Sequence, residues 1–185
     1  AGNEGGEVVG RIYQNQIVAP QVVTAAASDT TSSEFTAEGL VDPGGGTTDV
    51  IFQYGEDATF GTDSTVAASA SPVAGTDTIS VSASVGDLDP GTTYNYRVTA
   101  SNGDGTTNGA LQTVTTDVVS PQVGTLPPSA LASNQATLNG TVNPGGDTTR
   151  VYVALKEVAS GDSTFVPVDT LRTALAVDQS VSLTT

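Results

Sequence analysis

The chain contains no cysteine, histidine, methionine or tryptophan. The missing cysteines exclude disulfides and thiol chemistry, and together with the missing histidines they exclude zinc sites built from those residues. Every mechanism that uses an imidazole as general acid or base is excluded as well. Basic residues are scarce: 5 lysines and arginines stand against 20 aspartates and glutamates, for a net charge of −15 at pH 7. So acidic a chain does not neutralise phosphates, and we expect neither nucleic acid nor anionic membrane surfaces as partners.

Long apolar runs are also absent, so no transmembrane helix and no membrane insertion are predicted. The 185 residues include 21 glycines and 9 prolines, a composition typical of many short strands and turns. Valine, isoleucine, leucine and threonine are plentiful, which argues against a disordered chain. The lysine-poor, cysteine-free composition fits an extracellular or cell-surface protein, and the length fits one large domain or two small ones.

An internal repeat decides between these two. Residues 20–56 align without a gap on residues 121–157, at an offset of 101, and nearly half of the aligned residues are identical. The firmest block pairs GLVDPGGGTT at residues 39–48 with GTVNPGGDTT at residues 140–149. A repeat of about 100 residues has the size of a whole domain. The chain therefore carries two copies of one module.

The first copy alternates short apolar-polar segments with turn residues, as expected of strands with one buried face. One of them carries Tyr94, Tyr96, Val98 and Ala100 on a single face. The other predicted strands lie at residues 21–24, 34–41, 49–54, 64–70, 78–85 and 110–116. Seven short strands in about 98 residues predict a β-sandwich.

The segment LDPGTTYNYRVTA at residues 88–100 resembles the E–F corner and strand F of a fibronectin type III-like domain, as found in bacterial extracellular repeats. The resemblance covers residues 20–116 well and residues 121–185 in part. It implies tandem all-β, immunoglobulin-like sandwiches. It also implies a tyrosine corner at Leu88 and Tyr94, in which the tyrosine hydroxyl bonds to nearby backbone. Cell-surface, adhesive, spacer or fibre roles are implied, although a fold alone does not give a function.

The second copy is incomplete. Residues 135–142 and 150–157 repeat strands B and C, and Val181 and Leu183 resemble Ile79 and Val81, one residue out of register. No corner motif follows, so strands F and G are not predicted. Alternatively, residues 164–175 and 177–185 are the last two strands of a degenerate copy, and strand G is still missing. We predict three parts: an N-terminal strand (1–19), a complete sandwich (20–117) and an incomplete one (118–185).

The N-terminus carries a strand in excess, whereas the second copy lacks strands. Residues 1–6 resemble residues 100–105, so residues 7–18 match a strand G that precedes a complete domain. An open sandwich and a free strand are both unstable, and insertion of one into the other, called donor-strand complementation, resolves both. We predict a head-to-tail homopolymer, the structural protomer of an extracellular filament or surface fibre. The buried side chains would be Val8 or Val9, Ile12, Tyr13 and Ile17.

Two alternatives stay open. The chain is an excerpt of a longer array, a spacer or adhesive segment of a cell-surface protein that binds a host or polysaccharide ligand, or it is a self-sufficient two-domain protein. Joining residue 185 to a following residue 1 omits an E–F corner and a strand F, which a donor strand G would not replace.

No catalytic site is predicted, because no histidine activates a serine and no turn marks a nucleophile around the single lysine, Lys156. The acidic residues are expected to stabilise turns. No cofactor is expected. Calcium is the alternative, since carboxylates in loops are its usual ligands, although the chain has no Asp-x-Asp-x-Asp-Gly loop. The candidate ligands are Asp57, Asp63, Asp87, Asp89 and Asp104.

Overall fold

The computed structural model describes residues 16–60, 64–156, 159, 161–171 and 179–184. All of the regular structure in these residues is β-strand, and every strand pairing is antiparallel. The prediction of an all-β fold is therefore confirmed. In the described ranges, no helix is long and apolar enough to cross a membrane.

The first domain is a sandwich of two sheets. One sheet has the order β1-β2-β5, and the other has the order β4-β3-β6-β7, with β8 also paired to β6. The strands are β1 (Gln21–Thr24), β2 (Phe35–Asp42), β3 (Asp49–Gly55), β4 (Thr65–Ala67), β5 (Ile79–Val85), β6 (Thr93–Asn102), β7 (Gly105–Asn108) and β8 (Gln112–Thr115).

The core lies between the two sheets and follows the alternation of the sequence. Every second residue of β2, β5 and β6 is buried, because successive side chains of a strand point to opposite faces. The rings of Phe35 and Tyr96, from opposite sheets, lie 5.4 Å apart between their centroids. The buried apolar residues of these three strands are Phe35, Ala37, Val41, Val81, Ala83, Val85, Tyr94, Tyr96, Val98 and Ala100.

The last strand of this domain differs from the prediction. The sequence predicts one strand at residues 110–116, whereas the structure has two pieces on one edge of β6: β7 pairs with Thr99–Asn102 and β8 with Thr93–Tyr96. Gly109 lies between them and donates its N–H to the carbonyl oxygen of Val98 at 2.8 Å. A Cβ at Gly109 would lie 2.3 Å from Oγ1 of Thr24. The chain thus passes close to β1 here, and the strand is interrupted.

The second domain has two smaller sheets, with the orders β13-β10-β9 and β11-β12. Its strands are β9 (Gln122–Ser129), β10 (Thr137–Asn143), β11 (Thr149–Lys156), β12 (Ser163–Leu171) and β13 (Gln179–Thr184). By their pairing, β9, β10 and β13 are the counterparts of β1, β2 and β5, and β11 and β12 are the counterparts of β3 and β4.

The register of β13 corrects one sequence prediction. Val181 pairs with Gly140, just as Val81 pairs with Gly39. Val181 therefore takes the place of Val81 and not, as predicted, that of Ile79. A shift of two residues keeps the same side chains on the same face, so alternation alone does not fix the register.

Candidate functional site

An open cleft separates the two sheets of the second domain. Its volume is about 460 Å³, and β9, β10 and β11 line it. The apolar lining residues are Val123, Leu126, Pro128, Leu138, Val142, Val151, Val153, Ala154 and Leu155, with Tyr152 at the side. The cleft occupies the place where the first domain has its packed core.

The cleft lies beside a strand position that no strand in the described ranges occupies. In the first domain, β3 pairs with β4 on one edge and with β6 on the other, over seven residue pairs. In the second domain, β11 pairs with β12, and no strand in the described part of the chain pairs with its other edge. A free edge presents a row of unpaired N–H and C=O groups, which is a template for another strand.

The same position supplies four buried residues of the core in the first domain. There β6 inserts Tyr94, Tyr96, Val98 and Ala100 between the sheets. Without such a strand, Val142 and Val151 form the buried apolar cluster of the described part of the second domain. Val123 is 78% exposed, although its counterpart Val22 packs against the core of the first domain. In the described part of the second domain, the two sheets thus face each other without the packed side chains that join the sheets of the first domain.

The side chains that line the cleft are in part smaller and in part larger than their counterparts. At the offset of 101, Val153 stands where the first domain has Phe52, whereas Leu138 stands where it has Ala37. Side-chain size alone therefore does not account for the cleft. An inserted strand with bulky side chains would fill it, because interiors pack to crystal-like density.

The predicted donor-strand residues Val8, Val9, Ile12 and Tyr13 lie outside the described residues. Ile17 is described and is 44% exposed. It lies over its own first domain, where a Cβ on Gly46 would be 2.9 Å from Cγ2 of Ile17.

The predicted tyrosine corner has a defined geometry. Leu88 is buried, and the N–H of Asp89 donates to the hydroxyl oxygen of Tyr94 at 3.0 Å. Burial raises the pKa of Tyr94 above its ordinary value. The hydroxyl of Tyr96 donates to the carbonyl oxygen of Ala25 at 2.8 Å, and burial raises the pKa of Tyr96 as well.

Sequence reasoning missed Thr116, which is buried and joins the corner to the end of the domain. Its hydroxyl donates to the carbonyl oxygen of Asp89 at 2.6 Å and accepts the N–H of Thr92 at 3.0 Å. A threonine among many threonines gives no signal in the sequence. Only the contact shows its role.

The candidate calcium ligands are not brought together. Among the residues that the structure describes, no group of three acidic residues is placed to hold a metal ion. Asp57 accepts hydrogen bonds from the hydroxyl and the N–H of Thr59, and these bonds lower its pKa. Asp63 lies outside the described residues. The geometry at Asp57 is therefore that of a turn.

A second site lies at the junction of the two domains. The N–H of Val119, in the linker, donates to the carbonyl oxygen of Gly145 at 2.8 Å. The linker ahead of the first domain repeats this contact, with Val18 donating to Gly44 at 2.9 Å. Both glycines have a positive φ, 70° at Gly145 and 69° at Gly44. A Cβ on either glycine would lie 2.2 Å from the carbonyl oxygen of the linker valine.

Comparison with known proteins identifies only a distant likeness. No protein-family model and no curated protein sequence matches the chain. Among solved structures, it is similar to the sensor domain of the anti-sigma factor RsgI4 of Pseudobacteroides cellulosolvens. The shorter form of that domain gives a TM-score of 0.40 at 22% identity, covering 56% of this chain and 100% of the other. The longer form gives 0.36 at 22% identity, covering 55% and 92%. These TM-scores are too low to carry an argument about function.

Proposed function

We propose that this protein is the structural protomer of an extracellular filament or surface fibre. Subunits join head to tail: the N-terminal strand of one, residues 7–18, enters the open second domain of the next. The observation that supports this most directly is the edge of β11 with which no described strand pairs, beside an apolar cleft of about 460 Å³. The proposal gives the chain no catalytic role and no cofactor.

The binding mode is the addition of a β-strand to an exposed edge. Main-chain hydrogen bonds to β11 hold the strand, and alternate side chains enter the cleft. The apolar residues available are Val8 or Val9, Ile12, Tyr13 and Ile17, of which Ile17 would have to leave its place beside Gly46. Each fully buried side chain contributes about 1.5–3 kcal/mol. Ordering the strand costs about 1–2 kcal/mol per residue in backbone entropy, so closure of the partner's core must supply the balance.

The charge of the protein limits other ways of assembling. With a net charge of −15, two copies repel each other at low ionic strength. Surface attraction therefore does not hold such subunits together, and paired backbone with buried side chains must do so. Because salt screens repulsion between exposed charges, assembly should become faster as salt is added.

A double substitution in the donor strand tests the proposal. Because successive side chains of a strand point to opposite faces, Ile12→Asp with Tyr13→Asp places a charge in the cleft whichever face enters it, and we expect no filaments by negative-stain microscopy. The control is Leu111→Asp, which changes an exposed leucine of the first domain and should leave assembly intact. Filaments formed by the double variant would overturn the proposal.

A peptide tests the same contact without filaments. Added to the double variant, a synthetic peptide of residues 5–19 should slow hydrogen exchange at the amides of β11. The same peptide with both aspartates should not. Equal protection by the two peptides, or none by either, would contradict insertion at this edge.

A tandem spacer or adhesive segment of a larger surface protein is the second candidate. The observation that favours it is the linker contact repeated at Val18 and Val119, which is typical of modules in series. The intact mass of the natural protein separates the two candidates, since a subunit of 185 residues and a fragment of a long array differ in mass.

A further inference from the structure

We propose that the first domain carries a docking site for another complete module, stacked ahead of it in the way that the first domain is stacked on the second. We call residues 89–92 the corner. A receiver is a linker together with the turn that it contacts. The first receiver, in the first domain, is residues 16–19 with 42–46. The occupied receiver, in the second domain, is residues 117–120 with 143–147. The partner is a module of this type with glycine at the position of Gly91. The proposal does not depend on strand donation.

The receiver of the second domain shows what an occupied site looks like. A Cβ on Gly91 would lie 2.4 Å from the carbonyl oxygen of Gly146, and a Cβ on Gly146 would lie 2.5 Å from that of Pro90. The two domains therefore meet backbone to backbone at this point, with no side chain between them. Both glycines have a positive φ, 62° and 90°. Any other residue at either position would be strained and would also separate the domains.

Hydrogen bonds fix the corner to the linker that leads into the receiver. The N–H of Gly91 donates to the carbonyl oxygen of Asp117 at 3.1 Å, and the N–H of Asp117 donates to that of Thr31 at 2.9 Å. Two residues later, Val119 donates to Gly145 of the turn. The corner, the linker and the turn are thus joined by consecutive backbone contacts, and such a junction holds one orientation.

The turn of the first receiver is built in the same way. The side chain of Asp42 accepts the N–H of Gly44 at 3.0 Å, as that of Asn143 accepts the N–H of Gly145 at 3.0 Å. Gly45, the counterpart of Gly146, has a φ of 84° against 90°. The turn therefore has the shape of the occupied one.

The two receivers differ in what covers them. Gly145 and Gly146 are buried under the corner of the first domain, whereas Gly44 and Gly45 are only half-buried. The turn of the first receiver is also bonded to its own domain, since the N–H of Gly45 donates to the carbonyl oxygen of Gly75 at 2.9 Å. A shaped and braced turn that is left partly uncovered is what a docking site for a second corner requires.

Charge does not distinguish the two receivers. The turns of the two receivers carry the same number of acidic residues, since the first has Asp42 and Gly46 where the second has Asn143 and Asp147. An incoming corner that contains Asp89 therefore meets a turn of equal charge on either domain, and charge repulsion does not separate the two cases.

The test adds a module at the native spacing. Residues 20–117 are fused directly ahead of residues 17–185, so that the new junction repeats the native one. The added part has the complete core of the first domain. Because the chain has no cysteine, Thr65→Cys in both copies gives two clean spin-label positions. We expect a single narrow distance distribution, as narrow as that between Thr65→Cys and Ser163→Cys across the native junction.

Glycine variants then show whether docking at the receiver causes the narrow distribution. Gly45→Ala should remove the narrow peak. Gly161→Ala, in the second domain, is the matched control, because Gly161 also has a positive φ, 74°, and a Cβ there meets no atom within 4 Å. Gly91→Ala in the added module alone should have the same effect as Gly45→Ala while leaving the first domain unchanged.

A broad distribution in the fused parent, or equal loss with Gly45→Ala and Gly161→Ala, would overturn the proposal. If Gly45→Ala unfolds the first domain, the Gly91→Ala variant of the added module decides. The fused chain lacks the donor strand, so either result leaves the filament proposal to its own test.

Discussion

The two domains share a turn and a linker contact but not a core. In the first, β6 lies between β3 and β7 and its aromatic side chains fill the sandwich. In the second, the counterpart strands β9 to β13 form both sheets, yet the cleft between them is open. The turn therefore forms in both domains, whereas a packed core is found in the domain where a strand pairs with the second edge of β3. Local geometry and core packing are separable parts of this module.

The substitution with the largest expected effect on stability makes the core of the first domain resemble that of the second. Phe35→Ala introduces the residue that the second domain has at the matching position, Ala136. Phe35 is 1% exposed and packs on Tyr96, so the loss should be about 3–5 kcal/mol in the unfolding free energy of the first domain. Urea denaturation followed by hydrogen exchange at β2 and β5 measures it.

The reciprocal substitution is the control. Ala136→Phe adds a ring at a half-buried position of a domain whose sheets are not packed together, so the free energy of unfolding of the second domain should change by less than about 0.5 kcal/mol. A change as large as that of Phe35→Ala would mean that the second domain has a closed core in solution.

A second test removes the side-chain hydrogen bonds that join residue 116, at the end of the first domain, to residues 89 and 92. Thr116→Val removes a buried hydroxyl that bonds to Asp89 and Thr92. Because it leaves those backbone groups without their partner, we expect a loss of about 1–3 kcal/mol. Thermal unfolding of the first domain measures the change. Thr115→Val is the control, since Thr115 is exposed and bonds only at the surface with Thr93.

Alkaline pH should weaken the first domain through the tyrosines of β6. Burial raises the pKa of Tyr94 and of Tyr96. A group with a raised folded pKa supports the fold below its unfolded pKa and loses that support as pH rises through the folded pKa. Stability should therefore fall from about pH 10 upward.

Tyr94→Phe shows how much of that fall belongs to the corner. It should cost about 0.5–1.5 kcal/mol at neutral pH, from the lost bond to Asp89, and should make the alkaline decline shallower. Unfolding free energies between pH 7 and pH 11 provide the measurement. A decline equally steep in the variant would assign it to Tyr96 or to general charge repulsion.

The smallest expected effect concerns the first receiver alone. The side-chain amide of Asn102 donates to the carbonyl oxygens of Val18 at 2.8 Å and Pro43 at 3.0 Å. Asn102→Ala should cost at most about 1 kcal/mol, because water replaces bonds in a half-exposed site. Faster hydrogen exchange at the amide of Val18, with that of Val119 unchanged, is the expected readout. Equal acceleration at both amides would mean that the two linkers are coupled.

Period-two alternation made the strands of the first domain predictable, because β5 and β6 keep one apolar face throughout. The same regularity hid the register of β13, since a two-residue shift preserves the face. Gly109 interrupts the last strand through a contact with Thr24, which is too distant in sequence to read. The junction of Gly91 with Gly146 lies between backbones, so no side-chain pattern marks it. The available signal was the glycine pair repeated in both turns.

The route of the chain through the first domain determines its response to a pulling force. The chain enters at β1 in one sheet and leaves at β8 in the other, each strand paired along an antiparallel neighbour. Tension applied at residues 20 and 117 acts along these strands and not across them. The hydrogen bonds between each end strand and its neighbour are then loaded in shear and must break together. A fibre of such modules would bear load through its end strands first, while the aromatic core at Tyr96 remained intact.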